Sequence, residues 1–422
     1  MKRSLLGSYV TAIDIGTTKI CVLIASVDMH GKPEIVGIGQ HPSYGLKKGV
    51  VVNIGKTVES IKEAVKQAEQ MAGIKVENAS VGISGGHIKS YNSTGVVAIK
   101  GRDVSQSDID RVIEAAKAIP ISPDQDILHV LPQYFRVDGQ EYVLDSLGMY
   151  GVRLEAQIHI ITGAVASAQN IVKSCELAGV AVSDIVLEQL ASADAVLTQS
   201  EREIGVGIID IGGGTSDFAI YKDGRIRHSK VLPLAGNHFT SDLAIGLGIP
   251  VDQAEHLKKM YGSASSRQEL ESKFLESKFV DVNLGYEGGV KSVNLDLFEE
   301  ILQVRAEEIF DLFLDEIKEY RLKAFMPSGL VLTGGGSLLR GMKEIAAQKL
   351  ALPVRVGIPI TNTLAQQDHD LPDLLKSPIY STVYGLLLYA IGSGGTTFMT
   401  SNNDSRFTKI FKRMRSWIYD FL

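Results

Sequence analysis

The chain has 422 residues, of which 45% are hydrophobic and 22% charged, and its formal net charge is -6. That is the balance of a globular protein of roughly two to four domains, and the acidic excess argues against nucleic acid, whose phosphates select a basic face. The two cysteines, Cys21 and Cys175, sit in apolar runs without a CxxC, and the histidines show no zinc-type spacing, so buried thiols, a reducing compartment and no structural zinc are expected.

The first residues, MKRSLLGSYV, hold too short an apolar run for a signal peptide. No stretch of ~18 apolar residues follows, so no segment is expected to span a bilayer. At 9–26 stands YVTAIDIGTTKICVLIAS, in which two β-rich runs meet at Asp14 and a Gly/Thr turn, the grammar of a hairpin. Residues 57–73 carry Val58, Ile61, Val65, Ala68 and Met71 at helical spacing and stop at Gly73. NASVGISGGHI, at 78–88, is a strand running into a Gly-rich turn. Residues 92–159 hold Pro120, Pro123, Pro132 and short alternating runs, and predict a small α/β insertion. A second helix is expected over 165–179.

The grammar then repeats. VGIIDIGGGTSDFAIYKDG, at 206–224, is again strand, Asp, Gly/Thr turn, strand, and SGLVLTGGGSLL, at 328–339, echoes the Gly-rich strand end of the first half. Internal echoes of this kind point to duplicated units, and alternating strands and helices to α/β layers. Between them, residues 237–326 read as a helix-rich insertion with a long amphipathic helix over 297–320.

The turns carry chemistry. A Gly/Thr hairpin tip wraps its backbone N–H groups around phosphate oxygens, because no Cβ blocks the approach. An Asp just before the turn can hold Mg²⁺ through water. One such hairpin is also an ordinary tight turn. Two, each with its Asp (Asp14 and Asp210), suit a nucleotide clamped between half-molecules. Consecutive glycines at a helix start, as in TGGGS at 333–337, admit adenosine or a phosphate against bare backbone.

The end of the chain is unusual. SGGTTFMTSNNDS, at 393–405, has the composition of a flexible linker. Beyond it, a helical projection puts Phe407, Ile410, Phe411, Met414, Trp417, Ile418, Phe421 and Leu422 on one face, with Arg406, Lys409, Lys412, Arg413 and Arg415 on the flanks and back. Aromatics opposite cations mark a helix that lies in a membrane interface. The same pattern fits a terminal helix packed on the protein's own core, or a calmodulin-type target; the polar linker and the excess of cations favour the membrane.

IDIGTTK, IDIGGGTSD and LTGGGS, in that order, resemble the two phosphate motifs and the adenosine motif of the actin-like ATPase superfamily. VLEQLASADAVL and YSTVYGLLLYA resemble its connecting helices. GLKKGVVVNI, AEQMAG, SVGISGGHIKSYNSTGVVAI and HIITG are similar to segments of the bacterial cell-division FtsA family, and the similarity runs from about residue 8 to the C-terminus. The resemblance implies an α/β, actin-like two-lobed ATPase fold with an FtsA-type insertion subdomain and a C-terminal amphipathic helix. The first lobe would comprise 1–84 with 160–200 and 376–392, and the insertion 85–159. The second lobe would comprise 201–236 with 327–375, and its outer subdomain 237–326, followed by the linker 393–405 and the helix 406–422.

It also implies roles. Asp14 and Asp210 would face Mg²⁺, while Gly16, Thr17, Thr18, Lys19, Gly212, Gly213, Gly214 and Thr215 would line the phosphates of ATP. Gly334, Gly335 and Gly336 would flank adenosine. Glu255 and Lys258 match a pair that touches ribose and adenine, and equally an i,i+3 surface pair. Glu188 stands where related ATPases orient a water, although Gln189 replaces the Pro of that context. The chain would then be at most a slow Mg-dependent ATPase with a regulatory nucleotide.

Family function implies a filament-forming division protein that tethers FtsZ to the cytoplasmic face of the cell membrane at the division site. Other division proteins would be recruited through the insertion. Arg305 and Glu308 match the docking pair for the FtsZ C-terminal peptide, or else form a solvated charged face. The alternatives are a rod-shape or pilus-assembly actin homologue, which would usually carry its membrane helix elsewhere or lack it, and, further off, a chaperone or small-molecule kinase.

Overall fold

The computed structural model describes residues 8–28, 32–264, 278–285, 289–361 and 371–392. The expected linker and terminal amphipathic helix lie outside the described residues. Among the described residues, no helix is long and apolar enough to cross a membrane.

The molecule is built twice on one plan. The first five-stranded sheet runs, in order, Ala181–Leu187, Asn78–Ile83, Ser8–Ile15, Lys19–Val27 and Pro33–Pro42. The second runs Val354–Val356, Leu330–Thr333, Val206–Ile211, Ser216–Lys222 and Arg225–Leu232. In each, a hairpin and its next strand form an antiparallel meander, one further strand joins the hairpin's first strand in parallel, and the last strand joins that one in parallel. The echoes in the sequence are therefore equivalent strands. Ala12 lies parallel to Ser80, and Asp210 lies parallel to Thr333. Parallel partners require a crossover, which is why a helix or an insertion separates each echo from its hairpin. Helices cover both faces, so residues Ile20 to Ala25 are wholly buried and read as a continuous apolar run rather than an alternation. Cys21 and Cys175 are free and buried.

The helix Ile54–Ala72 has Asn53 as its N-cap and ends at Gly73 with φ 69°. Its buried face, Thr57, Ser60, Ile61, Ala64, Val65 and Ala68, is smaller than the apolar stripe predicts. Met71 is exposed and Val58 only half-buried. The reason is the strand beneath. A Cβ on Gly39 would fall 1.9 Å from the Ala64 carbonyl oxygen, so small residues let the helix backbone press onto that strand.

The insertion is a four-stranded antiparallel sheet, Lys89–Asp103, Tyr150–Ala164, Gln125–Val137 and Gln140–Val143, with the helix Gln106–Ala116 packed on it. The strand Tyr150–Ala164 runs unbroken through residue 159, the expected end of the insertion. This sheet also touches the other lobe, which no sequence pattern signals. Gln133 Nε2 donates to the carbonyls of Ile226 and Arg227 at 3.0 and 3.1 Å, and Ser90 Oγ donates to that of Ser229 at 2.7 Å.

The outer part of the second lobe holds helices Gly236–Leu247, Val251–Tyr261 and Leu295–Glu319, plus an unforeseen hairpin, Phe279–Asn283 with Val290–Asn294. Beneath the cleft the helices Glu188–Val196 and Ser381–Gly392 cross in backbone contact, since a Cβ on Gly385 would fall 1.7 Å from the Ala191 carbonyl oxygen.

Candidate functional site

The two hairpin tips face each other across a cavity of about 810 Å³ between the lobes. Asp14, Gly16, Thr17, Thr18 and Lys19 line one wall, and Asp210, Gly212, Gly213, Gly214 and Thr215 line the other. Gly334, Gly335, Gly336, Glu255, Lys258 and Glu188 line the same cavity. Every residue singled out above for nucleotide, metal or water thus lines a single cavity.

Hairpin geometry places them. Asp14 and Asp210 end buried strands, so their carboxylates emerge where the chain turns. The tips interlock closely: a Cβ on Gly213 would fall 2.3 Å from Thr18 Cγ2, and one on Gly214 would fall 2.4 Å from Thr17 Oγ1. Gly334 has φ 79°, and a Cβ there would fall 2.1 Å from Asp210 Oδ1, so only glycine fits beside that carboxylate. The run Gly335–Leu338 is a 3₁₀ turn, and the α-helix begins only at Met342.

Glu255 and Lys258 are half-buried at the cavity wall rather than on an open surface. They form an ion pair at 2.6 Å and still line the cavity, with Lys258 Nζ donating to the Gly236 carbonyl at 2.9 Å. Arg305 and Glu308 lie elsewhere, on helix Leu295–Glu319. Arg305 is not a solvated charge. It grips Asp242 through Nε at 2.5 Å and a terminal nitrogen at 2.9 Å, and also pairs with Glu308.

Electrostatics give the cavity its character. Burial raises the Asp14 carboxyl to about 6; Lys19 opposes the rise and Asp210 adds to it. Burial raises Asp217 to about 7 against a hydrogen bond from Ser84. Burial, with Asp14, Asp217 and Asp210 nearby, lifts Glu188 well above the usual range, and Asp210 rises too. Four crowded carboxyl groups in a low-dielectric cleft call for a cation. Among the described residues, no three His, Cys, Asp or Glu side chains converge tightly enough to ligate one ion directly. Asp14 and Asp210 both line the cavity, and Mg²⁺ is commonly met by one or two carboxylates while it keeps several waters.

Sequence reasoning missed four residues here. Asp217 is buried and accepts from Ser84 Oγ of the other lobe at 2.5 Å. Its signal was the last Asp of IDIGGGTSD. Ser192 and Thr382 both donate to Asp210; nothing in a helical pattern marks either.

A pH dependence follows from these carboxyls. Their folded-state values lie above the ordinary range, so the protonated forms favour the folded chain. That contribution is complete below about pH 4 and is lost as pH rises through about 6 to 7. Without nucleotide, Asp217→Asn is expected to gain roughly 1–3 kcal/mol over the parent at about pH 8 and nothing near pH 4. Urea melts of both chains at the two pH values check it; an equal gap at both would show that Asp217 is ionised throughout.

Comparison with known proteins agrees with this architecture. Residues 85–162 match the family described as "SHS2 domain inserted in FTSA", and residues 207–385 match "Cell division protein FtsA". Among solved structures, the chain superposes on the PilM-PilN type IV pilus biogenesis complex with TM-score 0.67 at 15% identity, over 90% of this chain and 98% of that one. It superposes on MreB 5 of Spiroplasma citri bound to AMPPNP with TM-score 0.52 at 15% identity, over 90% and 95%. The fold is thus the actin-like one. Cell division protein FtsA of Neisseria meningitidis is 43% identical over 380 residues, 90% of this chain and 89% of its own length. That of Pseudomonas aeruginosa is 41% identical over 418 residues, 98% of each chain, and by this near-complete likeness the chain belongs to the FtsA family of cell division proteins.

Proposed function

We propose that the chain is an ATP-binding, actin-like division protein that polymerises and tethers the FtsZ ring to the cytoplasmic face of the cell membrane. One observation carries the nucleotide reading: all residues selected for phosphate, adenosine, metal and water line one cavity between two lobes of the same design. The backbone N–H groups of both hairpin tips hold the phosphates, and Lys19 adds a cation. The glycines 334–336 and the Glu255–Lys258 pair hold the nucleoside. Asp14 and Asp210 hold Mg²⁺ through its water shell, and Mg²⁺ neutralises phosphate charge when bound. Glu188 orients a water, so hydrolysis is slow phosphoryl transfer to water, and the nucleotide mainly sets lobe closure. Because head-to-tail contacts through both lobes are heterologous, they make filaments. The insertion 85–159 recruits later division proteins, and the outer subdomain 237–326 receives the FtsZ C-terminal peptide at Arg305 and Glu308.

The test uses the whole chain, anionic vesicles, Mg·ATP and a labelled FtsZ C-terminal peptide. Peptide is expected to sediment with vesicles only when the chain is present. Arg305→Ala should weaken peptide binding by about tenfold, with an unchanged melting curve as control for the lost Asp242 pair. Undiminished peptide binding by that variant would place the docking site elsewhere.

A further inference from the structure

Two hydroxyls outside the phosphate motifs act on Asp210. Ser192 Oγ donates to Asp210 Oδ2 at 2.5 Å, and Thr382 Oγ1 donates to the same oxygen at 3.1 Å. The hydroxyl oxygens are themselves 3.1 Å apart. Ser192 is fully buried in helix Glu188–Val196, and Thr382 is the second residue of helix Ser381–Gly392 and lines the cavity. On the neighbouring strand Thr333 stands in register with Asp210, and its hydroxyl lies 2.6 Å from Ser381 Oγ. The ends of two adjacent second-lobe strands are therefore bonded to the first two residues of one helix. The first lobe reaches the same segment, where Lys19 Nζ donates to the Ile379 carbonyl and stands 4.8 Å from the centre of the Tyr380 ring.

We infer that Thr382 is a positioning residue for the metal end of the cleft: with Ser192 it clamps Oδ2 of Asp210 and so fixes the carboxylate that meets the water shell of Mg²⁺. The physical reason is torsional. The last side-chain torsion of an Asp is broad and roughly two-fold, so an unclamped carboxylate swings. Two donors converging on one oxygen select a single orientation before any ion arrives. Groups that orient a metal's partners in this way typically govern its affinity by about 10–100-fold. The close helix crossing at Gly385 and Ala191 fixes the backbone that carries both side chains, and their hydrogen bonds to Asp210 and to each other hold the hydroxyls.

The inference rests on the cleft being the Mg·ATP site. The test titrates Mg²⁺ against binding of a fluorescent ATP analogue by the whole chain, and repeats the binding in excess chelator. Thr382→Val keeps the shape and loses the hydroxyl. It is expected to raise the Mg²⁺ concentration for half-saturation by about tenfold, a larger change than any in its chelator-state binding. Thr382→Ser, which keeps the hydroxyl, should titrate like the parent. A Thr382→Val curve that overlays the parent, or a Thr382→Ser curve shifted as far as that of Thr382→Val, overturns the assignment. Should Thr382→Val lose its cooperative melt, Ser192→Ala is read on the same titration and must shift in the same direction, or the clamp does not exist. Failure of the parent chain to bind the analogue at all would instead overturn the nucleotide reading itself.

Discussion

A chain ending at Ser401 is expected to stay in solution with anionic vesicles that carry down the whole chain, a loss of about hundredfold or more in partitioning. Residues 406–422 hold five Lys or Arg and, at a spacing that a helix would gather on one side, eight apolar or aromatic residues. Each cation contributes about 1 kcal/mol near an anionic leaflet. Full burial of a large apolar side chain is worth ~1.5–3 kcal/mol, but an interfacial helix buries its face only in part. Against these stands the cost of ordering, ~1–2 kcal/mol per residue of backbone. The large terms nearly cancel, so one tail is expected to bind weakly and reversibly. A filament changes the arithmetic, because once one tail is down its neighbours bind intramolecularly. Sedimentation of the whole chain should therefore steepen with protein concentration and with Mg·ATP. Equal sedimentation of the two chains would show that something other than the tail holds the membrane.

The second large effect is expected from Gly213→Val, which should weaken ATP binding by about ten- to hundredfold while the chain still folds. The position has no left-handed backbone, so valine is tolerated locally. A Cβ there, however, would meet three atoms of Thr18, at 2.3, 2.8 and 3.0 Å. Overpacking of this kind costs ~1–3 kcal/mol. The chain relieves it by parting the hairpins, which also lengthens the Ser84–Asp217 bond between the lobes. Phosphates gripped from both sides then lose one side. Fluorescent-analogue titration reads the affinity, and a cooperative urea melt lowered by no more than that cost shows that the lobes are intact. Tight binding by Gly213→Val would mean that the phosphates are held by one hairpin alone.

Local chemistry was legible where a single turn carries it. IDIGTTK and IDIGGGTSD read as hairpins because a Gly/Thr turn between β-rich runs has few other solutions, and both fold that way. The helices over 57–73 and 297–320 were visible from spacing and caps, to within a few residues. Their packing faces were less visible. Met71 reads as core, yet it is exposed while Thr57, Ser60 and Ala64 are buried, and Gly37 and Gly39 bring a strand close to the helix backbone at Ala64 and Ala68. The hairpin Phe279–Asn283 with Val290–Asn294 escaped because such short strands in a helix-rich segment carry little periodicity.

What the sequence determined by itself is the duplication, the order of the three glycine-rich motifs, and the basic, aromatic composition of the chain's end. Each is written in contiguous residues, since turn formation and helical amphipathicity are local properties. What only the tertiary structure decided is which distant groups complete the site. Ser84, Ser192, Asp217 and Thr382 come from four separate segments of the chain. A Ser or Thr inside a helix gives no local sign of the carboxylate it will meet. That partner is set by how two helices cross at Gly385 and by how two lobes close, and both depend on packing between residues far apart in the chain.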